Sequence, residues 1–188
     1  MELTALTELE AVNAIIGTLG ESPINTLEEL HNVDAINALR CLRQVSRTEQ
    51  ARGWSFNIIP EYTLNPDINN KIHWNEMYLS IKSTNNEKLI KAGDYIKNLN
   101  TNSTIFTAPV VTEVILHVPF EELPEPMRSY IVAKASFVFQ NYYFGDGLLT
   151  DVISQQVSDA WQHLMDYEMD NNDYSMLNNN SIRELLSR

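Results

Sequence analysis

The stretch QARGWSFNIIPEYTLNPD, Gln50–Asp67, lies where the pattern of the sequence changes. Before it, from about Val33 to Arg52, apolar residues recur every three or four positions, which predicts an amphipathic helix. Gly53 is well placed to end that helix, because glycine readily adopts the left-handed conformation found after helices. Pro60 and Pro66 then exclude a helical continuation. The stretch therefore predicts a junction between a helical part and an extended part of the chain.

The segment that follows this junction, up to Val118, consists of short extended runs separated by Asn, Pro and Gly. Residues Tyr78–Lys82 alternate between apolar and polar, as expected for a half-buried strand. Ala92-Gly93-Asp94 separates two short runs and predicts a hairpin. The strongest predicted strand is Val110–Val118, which is bounded by a proline at each end. We therefore expect a small antiparallel β-sheet or barrel here.

Helical patterns also lie on the outer sides of this segment. Residues 4–19 form one apolar stripe, which is capped by Thr7 with Glu10 or begins at Thr4. A third helix is predicted from the Pro124–Pro126 region to about Tyr143, because proline is tolerated in a first turn. A fourth is predicted from about Leu149 to Met169. The expected inner face of the third helix comprises Met127, Ile131, Ala135, Val138 and Tyr142.

These patterns predict a mainly α, α+β fold built on a bundle of about four helices. Residues 1–55 and 120–172 are expected to form the bundle, and residues 56–119 the inserted β region. Residues 173–188 are rich in asparagine and predict an extended C-terminal tail that becomes ordered by docking on a partner.

The net charge of the chain argues against nucleic-acid binding. With 25 acidic and 13 basic residues the formal net charge is −12, so the surface as a whole repels phosphate. No apolar run approaches the roughly 20 residues that a membrane-spanning helix needs, so we expect no direct membrane insertion. The single cysteine, Cys41, excludes an internal disulfide bond.

No pattern of reactive residues emerges from the sequence. The four histidines lack metal-ligand spacing, and no nucleophile or phosphate-loop motif is present. The acidic cluster Asp166–Asp173 resembles part of a calcium loop but lacks the central glycine and the final glutamate. Glu121 and Glu122 favour the start of the following helix. We therefore expect no catalytic residue, no cofactor and no metal ion, and hence no enzymatic activity.

Three blocks of the sequence resemble the tail tubular protein A family of short-tailed bacteriophages, the podoviruses. They are TELEAVNAIIGTLGESPINT at Thr7–Thr26, the Gln50–Asp67 stretch quoted above, and Leu123–Leu177. The third block contains LPEPMRSYIVAKASFVFQNYYFG and ends in DYEMDNNDYSML. The order and spacing of the blocks also match the family, and only the middle, Asn69–Thr107, and the last residues resemble it weakly.

This resemblance implies a structural virion protein that forms a ring of about a dozen copies, closed by head-to-tail contacts. Its implied partners are the portal protein, the nozzle protein (tail tubular protein B) and the tail fibre protein. DNA would pass through the channel without specific binding, and the ring would be assembled in the host bacterial cytoplasm. Two other interpretations remain open, a tail-associated glycan hydrolase that needs two carboxylates roughly 5–10 Å apart and a non-viral cytoplasmic binding module.

Two groups of residues are the candidate interfaces within this interpretation. The first group lies in the C-terminal tail and is expected to dock on the portal or on a neighbouring copy: Ile182, Arg183, Leu185 and Leu186. The second lies in loops of the β region and is expected to face the nozzle or the fibres: Asn69, Asn70, Asn100 and Asn102.

Overall fold

The computed structural model of this chain describes residues 6–28, 32–143, 145 and 147–177. The elements in these residues are, in order, α1 (Glu8–Gly17), α2 (Val33–Gln50), β1 (Ile58–Leu64), β2 (Tyr78–Ser83), β3 (Leu89–Ala92), β4 (Tyr95–Asn98), β5 (Val110–Leu116), α3 (Glu125–Tyr143) and α4 (Gly147–Leu177). The chain divides into two compact units. One comprises Met1–Ser46 and Pro119–Arg188, and the other Arg47–Val118. The prediction of a mainly α, α+β fold is confirmed.

Helix α1 begins with a capping box. The Thr7 hydroxyl accepts the backbone N–H of Glu10 at 3.2 Å, and the Glu10 carboxylate accepts the N–H of Thr7 at 2.9 Å. Both bonds satisfy donors that the first turn of a helix cannot pair internally. The helix therefore starts at Glu8 and not at Thr4, and it ends at Gly17 before a turn that closes at Gly20. The predicted span of 4–19 was too long at both ends.

Helix α2 is capped by Asn32, whose Oδ1 accepts the N–H groups of Asp34 and Ala35 at 2.8 and 3.2 Å. It ends at Gln50, and Gly53 follows with a φ of +81°. A side chain at position 53 would also lie 3.0 Å from the Cδ1 atom of Ile115. Glycine is therefore favoured here by the positive φ, and any side chain would also force the Ile115 side chain to shift.

Helix α3 packs against α1 and α4. It begins as predicted from its prolines, with the Pro124 carbonyl accepting the N–H groups of Met127 and Arg128. Its buried apolar face comprises Met127, Ile131, Ala135 and Phe139. The expected burial of Tyr142 on that face was wrong, because its side chain is 81% exposed. By helical geometry Tyr142 shares the face of Ile131 and Ala135, but it lies in the last turn of α3, where a position on that face does not ensure burial.

Helix α4 runs from Gly147 to Leu177, eight residues beyond its predicted end. The prediction of an extended tail from residue 173 is therefore wrong for residues 173–177, which are helical. The predicted docking residues Ile182, Arg183, Leu185 and Leu186 lie outside the described residues.

The Arg47–Val118 unit contains a three-stranded antiparallel sheet in the order β1-β5-β2, with β5 at its centre. Leu64 of β1 pairs with Val110, and Ser83 of β2 pairs with Thr112. Pro60 lies in the edge strand β1, at an irregularity between Ile59 and Tyr62. An edge position and a bulge are the places where a strand tolerates a residue without an N–H. The predicted strand at Val110–Val118 is thus confirmed, although it ends at Leu116.

The predicted hairpin is also confirmed. Ala92 of β3 pairs with Tyr95 of β4, so that Gly93 and Asp94 form a two-residue loop in which Gly93 has a φ of +62°. Beneath the strands lies an apolar core comprising Leu64, Ile72, Tyr78, Ile96, Phe106, Val110 and Val114. The Tyr78 ring is contacted edge-on by Tyr62 and by Trp74. This unit therefore has a core of its own.

Two buried amide side chains join the first and last segments of this unit. The Nε2 atom of Gln50 donates to the Val118 carbonyl at 3.0 Å, and its Oε1 atom accepts the Val118 N–H at 2.7 Å. The Nδ2 atom of Asn57 donates to the carbonyls of Gln50 and Leu116 at 3.0 and 2.9 Å, and its Oδ1 atom accepts the Trp54 N–H at 2.8 Å. We call this pair, Gln50 and Asn57, the polar clamp.

Replacing Asn57 tests the clamp. Asn57→Ala removes the acceptor of the Trp54 N–H and one donor from each of the Gln50 and Leu116 carbonyls, and a buried group that loses its hydrogen bond costs roughly 1–3 kcal/mol. We expect the free energy of unfolding to fall by about 2–4 kcal/mol, as measured by urea unfolding followed through tryptophan fluorescence. Asn65→Ala is the matched control, because Asn65 is exposed. Equal stability of the two variants would contradict this role for Asn57.

Candidate functional site

The predicted loop residues Asn69 and Asn70 lie in a tight turn between β1 and β2. The Asp67 carboxylate accepts the N–H groups of Asn69 and Lys71 at 2.8 and 2.9 Å. The hydrogen bond from Lys71 is the main reason that the pKa of Asp67 lies below its usual value. Asn70 has a φ of +58°, a conformation that asparagine tolerates better than most residues. The turn is therefore held in one shape by its own polar groups.

The second predicted loop, which carries Asn100 and Asn102, is closed in the same manner. The backbone of Asn98 exchanges two hydrogen bonds with Ser103, and the Asn98 side chain accepts the Asn100 N–H at 2.9 Å. Asn98 in turn donates from Nδ2 to Glu87 at 3.0 Å. Asn102 has a φ of +53°. The loop is thus anchored on a buried asparagine that sequence reasoning did not single out.

The structure connects these two loops. The Phe106 N–H donates to the Asn70 carbonyl at 2.7 Å, and the Phe106 side chain enters the core of the unit. Sequence reasoning missed the apolar residues of the loops. Ile68, next to Asn69, is 98% exposed, and Ile105, next to Phe106, is 49% exposed. The available signal was Ile68, an isolated isoleucine within a polar turn. We call Ile68 and Ile105, with the four asparagines, the loop surface.

Two clefts among the described residues are each lined by a single carboxylate. A cleft of about 320 Å³ beside the loop surface has Glu87 as its one carboxylate, which is bonded to Asn98. A cleft of about 450 Å³ between α3 and α4 has Glu125, which pairs with Arg128 at 2.9 Å. Neither cleft brings together the two carboxylates that a glycan hydrolase needs.

The described residues also contain no group of three or more His, Cys, Asp and Glu side chains that could hold a metal ion. Of Glu121 and Glu122, which lie in a short 3-10 turn, Glu121 accepts the backbone N–H of Glu8 at 3.4 Å. This contact gives Glu121 a structural role at the start of α1. None of the described helices has the length and apolar character needed to cross a bilayer.

A third cleft, of about 210 Å³, lies between α2 and α3. It is lined by Asn37, Arg40, Cys41, Gln44, Val138, Tyr142 and Tyr143. The Cys41 thiol donates to the Ala135 carbonyl at 3.4 Å, and burial raises its pKa to about 11. The thiolate is therefore scarce at neutral pH, and Cys41 is not equipped to act as a nucleophile. We call this cleft, with the adjoining α2 residues Val33 and Ile36, the α2–α3 groove.

Comparison with known proteins identifies relatives across most of this architecture. A family model described as tail tubular protein matches residues 9–174, which include both the polar clamp and the loop surface. A curated relative, tail tubular protein A of Klebsiella phage KP34, is 26% identical over 140 residues. That alignment covers 74% of this chain and 73% of the relative.

The shape of the loop surface can be tested at Asn70. Asn70→Ala places alanine at a positive φ, which costs roughly 1 kcal/mol, whereas Asn70→Gly removes the conformational cost. We expect urea unfolding to show a loss of about 1 kcal/mol for the alanine variant and a clearly smaller change for the glycine variant. Asn69→Ala is the control without a positive φ. A glycine variant as unstable as the alanine variant would refute the backbone argument.

Proposed function

The chain belongs to the tail tubular protein family, and from that membership and its surfaces we propose that it forms a ring adaptor in a short-tailed bacteriophage virion. Membership makes it a structural protein of the phage tail. In the proposed adaptor, copies of the chain join the portal to the tail nozzle and leave a central channel for the genome. The observation that carries the proposal is the family match over residues 9–174.

The charge of the chain supports the channel part of the proposal. A formal net charge of −12 disfavours adhesion of the DNA phosphates to the wall, so that the genome can slide past during ejection. A structural role is consistent with the two clefts described above, since each of them is lined by a single carboxylate. In this function the residues that bind partners lie on the surface, and the core of each unit fixes the positions of that unit's surface residues.

The proposed partners follow from the two ends of such an adaptor. The portal protein would bind the C-terminal residues 178–188, while the nozzle protein (tail tubular protein B) and the tail fibre protein would meet the loop surface. About a dozen copies would close the ring through a head-to-tail interface that uses two different patches on each subunit. Assembly would take place in the host bacterial cytoplasm, and the mature protein would be part of the virion.

Removal of residues 178–188 tests the portal contact. We expect the truncated protein to keep the circular dichroism spectrum and melting temperature of the full chain, because the family match ends at residue 174. We also expect it to lose binding to purified portal rings, as measured by co-sedimentation. Replacement of Ile182, Leu185 and Leu186 by serine should also abolish binding to portal rings. Replacement of the three asparagines 178–180 by serine is the control and should leave this binding unchanged. Normal docking of the truncated chain would refute this contact.

Replacement of Ile68 tests the nozzle contact. Burial of an isoleucine contributes roughly 1.5–3 kcal/mol, which corresponds to a change of about 10- to 100-fold in affinity. We therefore expect Ile68→Ser to weaken binding of the purified nozzle protein by at least about tenfold, as measured by biolayer interferometry. Ile90→Ser is the matched control, because Ile90 is 42% exposed on β3, outside the loop surface. Unchanged binding by Ile68→Ser would remove this loop from the nozzle interface.

A cytoplasmic binding module is the other interpretation, and it predicts a monomer or dimer without affinity for portal rings. Light scattering of the purified chain with and without portal rings separates the two. A portal-dependent rise in mass to that of a complex with multiple copies supports the adaptor. A chain that leaves the portal rings unchanged supports the binding module.

A further inference from the structure

The α2–α3 groove leaves an unusual amount of apolar surface uncovered. On its α2 side, Val33 is 66% exposed and Ile36 is 38% exposed. On its α3 side, Tyr142 is 81% exposed, and Tyr143 is 49% exposed. Val33 and Ile36 lie one helical turn before the lining residues Asn37 and Arg40, so they extend the same stripe of α2. Exposed apolar and aromatic side chains gathered along one groove mark an interaction site.

The charge of this groove is opposite to that of the chain as a whole. Arg40 lines it, and no carboxylate does. Arg43, one turn further along, already pairs with Glu8 at 2.9 Å, whereas Arg40 forms no ion pair with any residue in the described part of the chain. In a chain of net charge −12, the groove thus offers a cation to an incoming acidic group.

Helix α4 carries the complementary surface. It contains six acidic residues and neither lysine nor arginine. Asp166, Met169 and Asp170 are three and four residues apart, share one face of the helix, and are all exposed. Met169 is 57% exposed, although it lies between charged residues. The face therefore combines two carboxylates with one flexible apolar side chain, which matches an arginine beside exposed tyrosines.

We infer that the α2–α3 groove of one copy binds the Asp166–Asp170 face of α4 of a second copy. The Asp166 and Asp170 carboxylates meet Arg40, and Met169 packs against Tyr142. This inference rests on the proposed ring and names the two patches that its head-to-tail interface requires. The two surfaces are different, so each copy has one of each and can bind a neighbour on either side.

The dimensions of the chain argue against occupation of the groove by the same molecule. Helix α4 begins four residues after α3 ends, so that its start lies near Tyr142. Its 31 residues span about 46 Å, and Asp166 lies about 29 Å from Gly147 along the axis. Residues 178–188 reach at most roughly 40 Å even when fully extended, which is less than the length of α4. The Asp166–Asp170 face of a second copy can reach the groove and carries the charge opposite to that of Arg40.

Charge exchange tests the inference. Arg40→Glu and the double variant Asp166→Arg/Asp170→Arg should each weaken self-association of the full chain by at least about tenfold, as measured by sedimentation velocity over a concentration series at low salt. An equimolar mixture of the two should associate again, because the carboxylate introduced at position 40 of one variant then faces the guanidinium groups introduced in the other. Controls with the same charge changes elsewhere are Lys88→Glu and Glu21→Arg/Glu28→Arg, which should behave as the wild type.

A photo-cross-link identifies the partner surface directly. Benzoylphenylalanine at position 142, in a mixture of ¹⁴N- and ¹⁵N-labelled chains, should give hybrid cross-linked peptides that contain residues 165–171. Cross-links to residues 178–188 or to another surface of the second copy would overturn the inference. So would unchanged association of both charge variants, or a wild-type chain that does not self-associate. None of these three results affects binding to portal rings, which tests the proposed function separately.

Discussion

The Arg47–Val118 unit depends on the buried amide groups of Gln50 and Asn57. Holding Gln50 and Val118 together, at the two ends of this unit, costs roughly 4 kcal/mol of chain entropy. The hydrogen bonds of the polar clamp contribute about 1 kcal/mol each and are therefore of the same order as that cost. Their geometry is also specific, because the Gln50 amide bonds both the N–H and the carbonyl of Val118, as the backbone of a neighbouring β-strand does. The motif Arg-Gly-Trp-x-Phe-Asn, residues 52–57, thus has a structural role.

Much of the fold could be predicted from local chemistry, and the failures have physical causes. Glycine at position 53 and the prolines at the start of α3 mark boundaries that the structure keeps. The end of α4 was missed because asparagine has a low helix propensity, whereas the helix continues past Asn171, whose side chain donates to the Tyr167 carbonyl at 3.0 Å. Tyr142 was misplaced because it shares the apolar face but lies in the last turn of α3, where that face is not covered.

The candidate interfaces show which contact residues can be identified from the sequence of one chain alone. The asparagines of the two loops were singled out as polar loop residues, and in the structure Asn70 and Asn102 first of all permit positive φ angles. The contact residues of the loop surface are better sought in Ile68 and Ile105, which the turns hold outward. Their exposure depends on the paths of the loops, which depend on Asp67 and Asn98, so the sequence shows an apolar residue in a polar turn but does not show which way its side chain faces.

In the proposed ring, copies that each carry a net charge of −12 would repel their neighbours. Uniformly distributed charge would oppose every contact, whereas separation of charge by element creates faces that attract. The sequence shows such separation, since three of its seven arginines lie in α2 and none lies in α4. An acidic helix and a helix with exposed arginine then specify orientation, because acidic faces repel one another and only the head-to-tail arrangement pairs opposite signs. The separation of charge between helices can therefore direct how copies meet in the proposed ring, while the net charge suits the proposed channel wall.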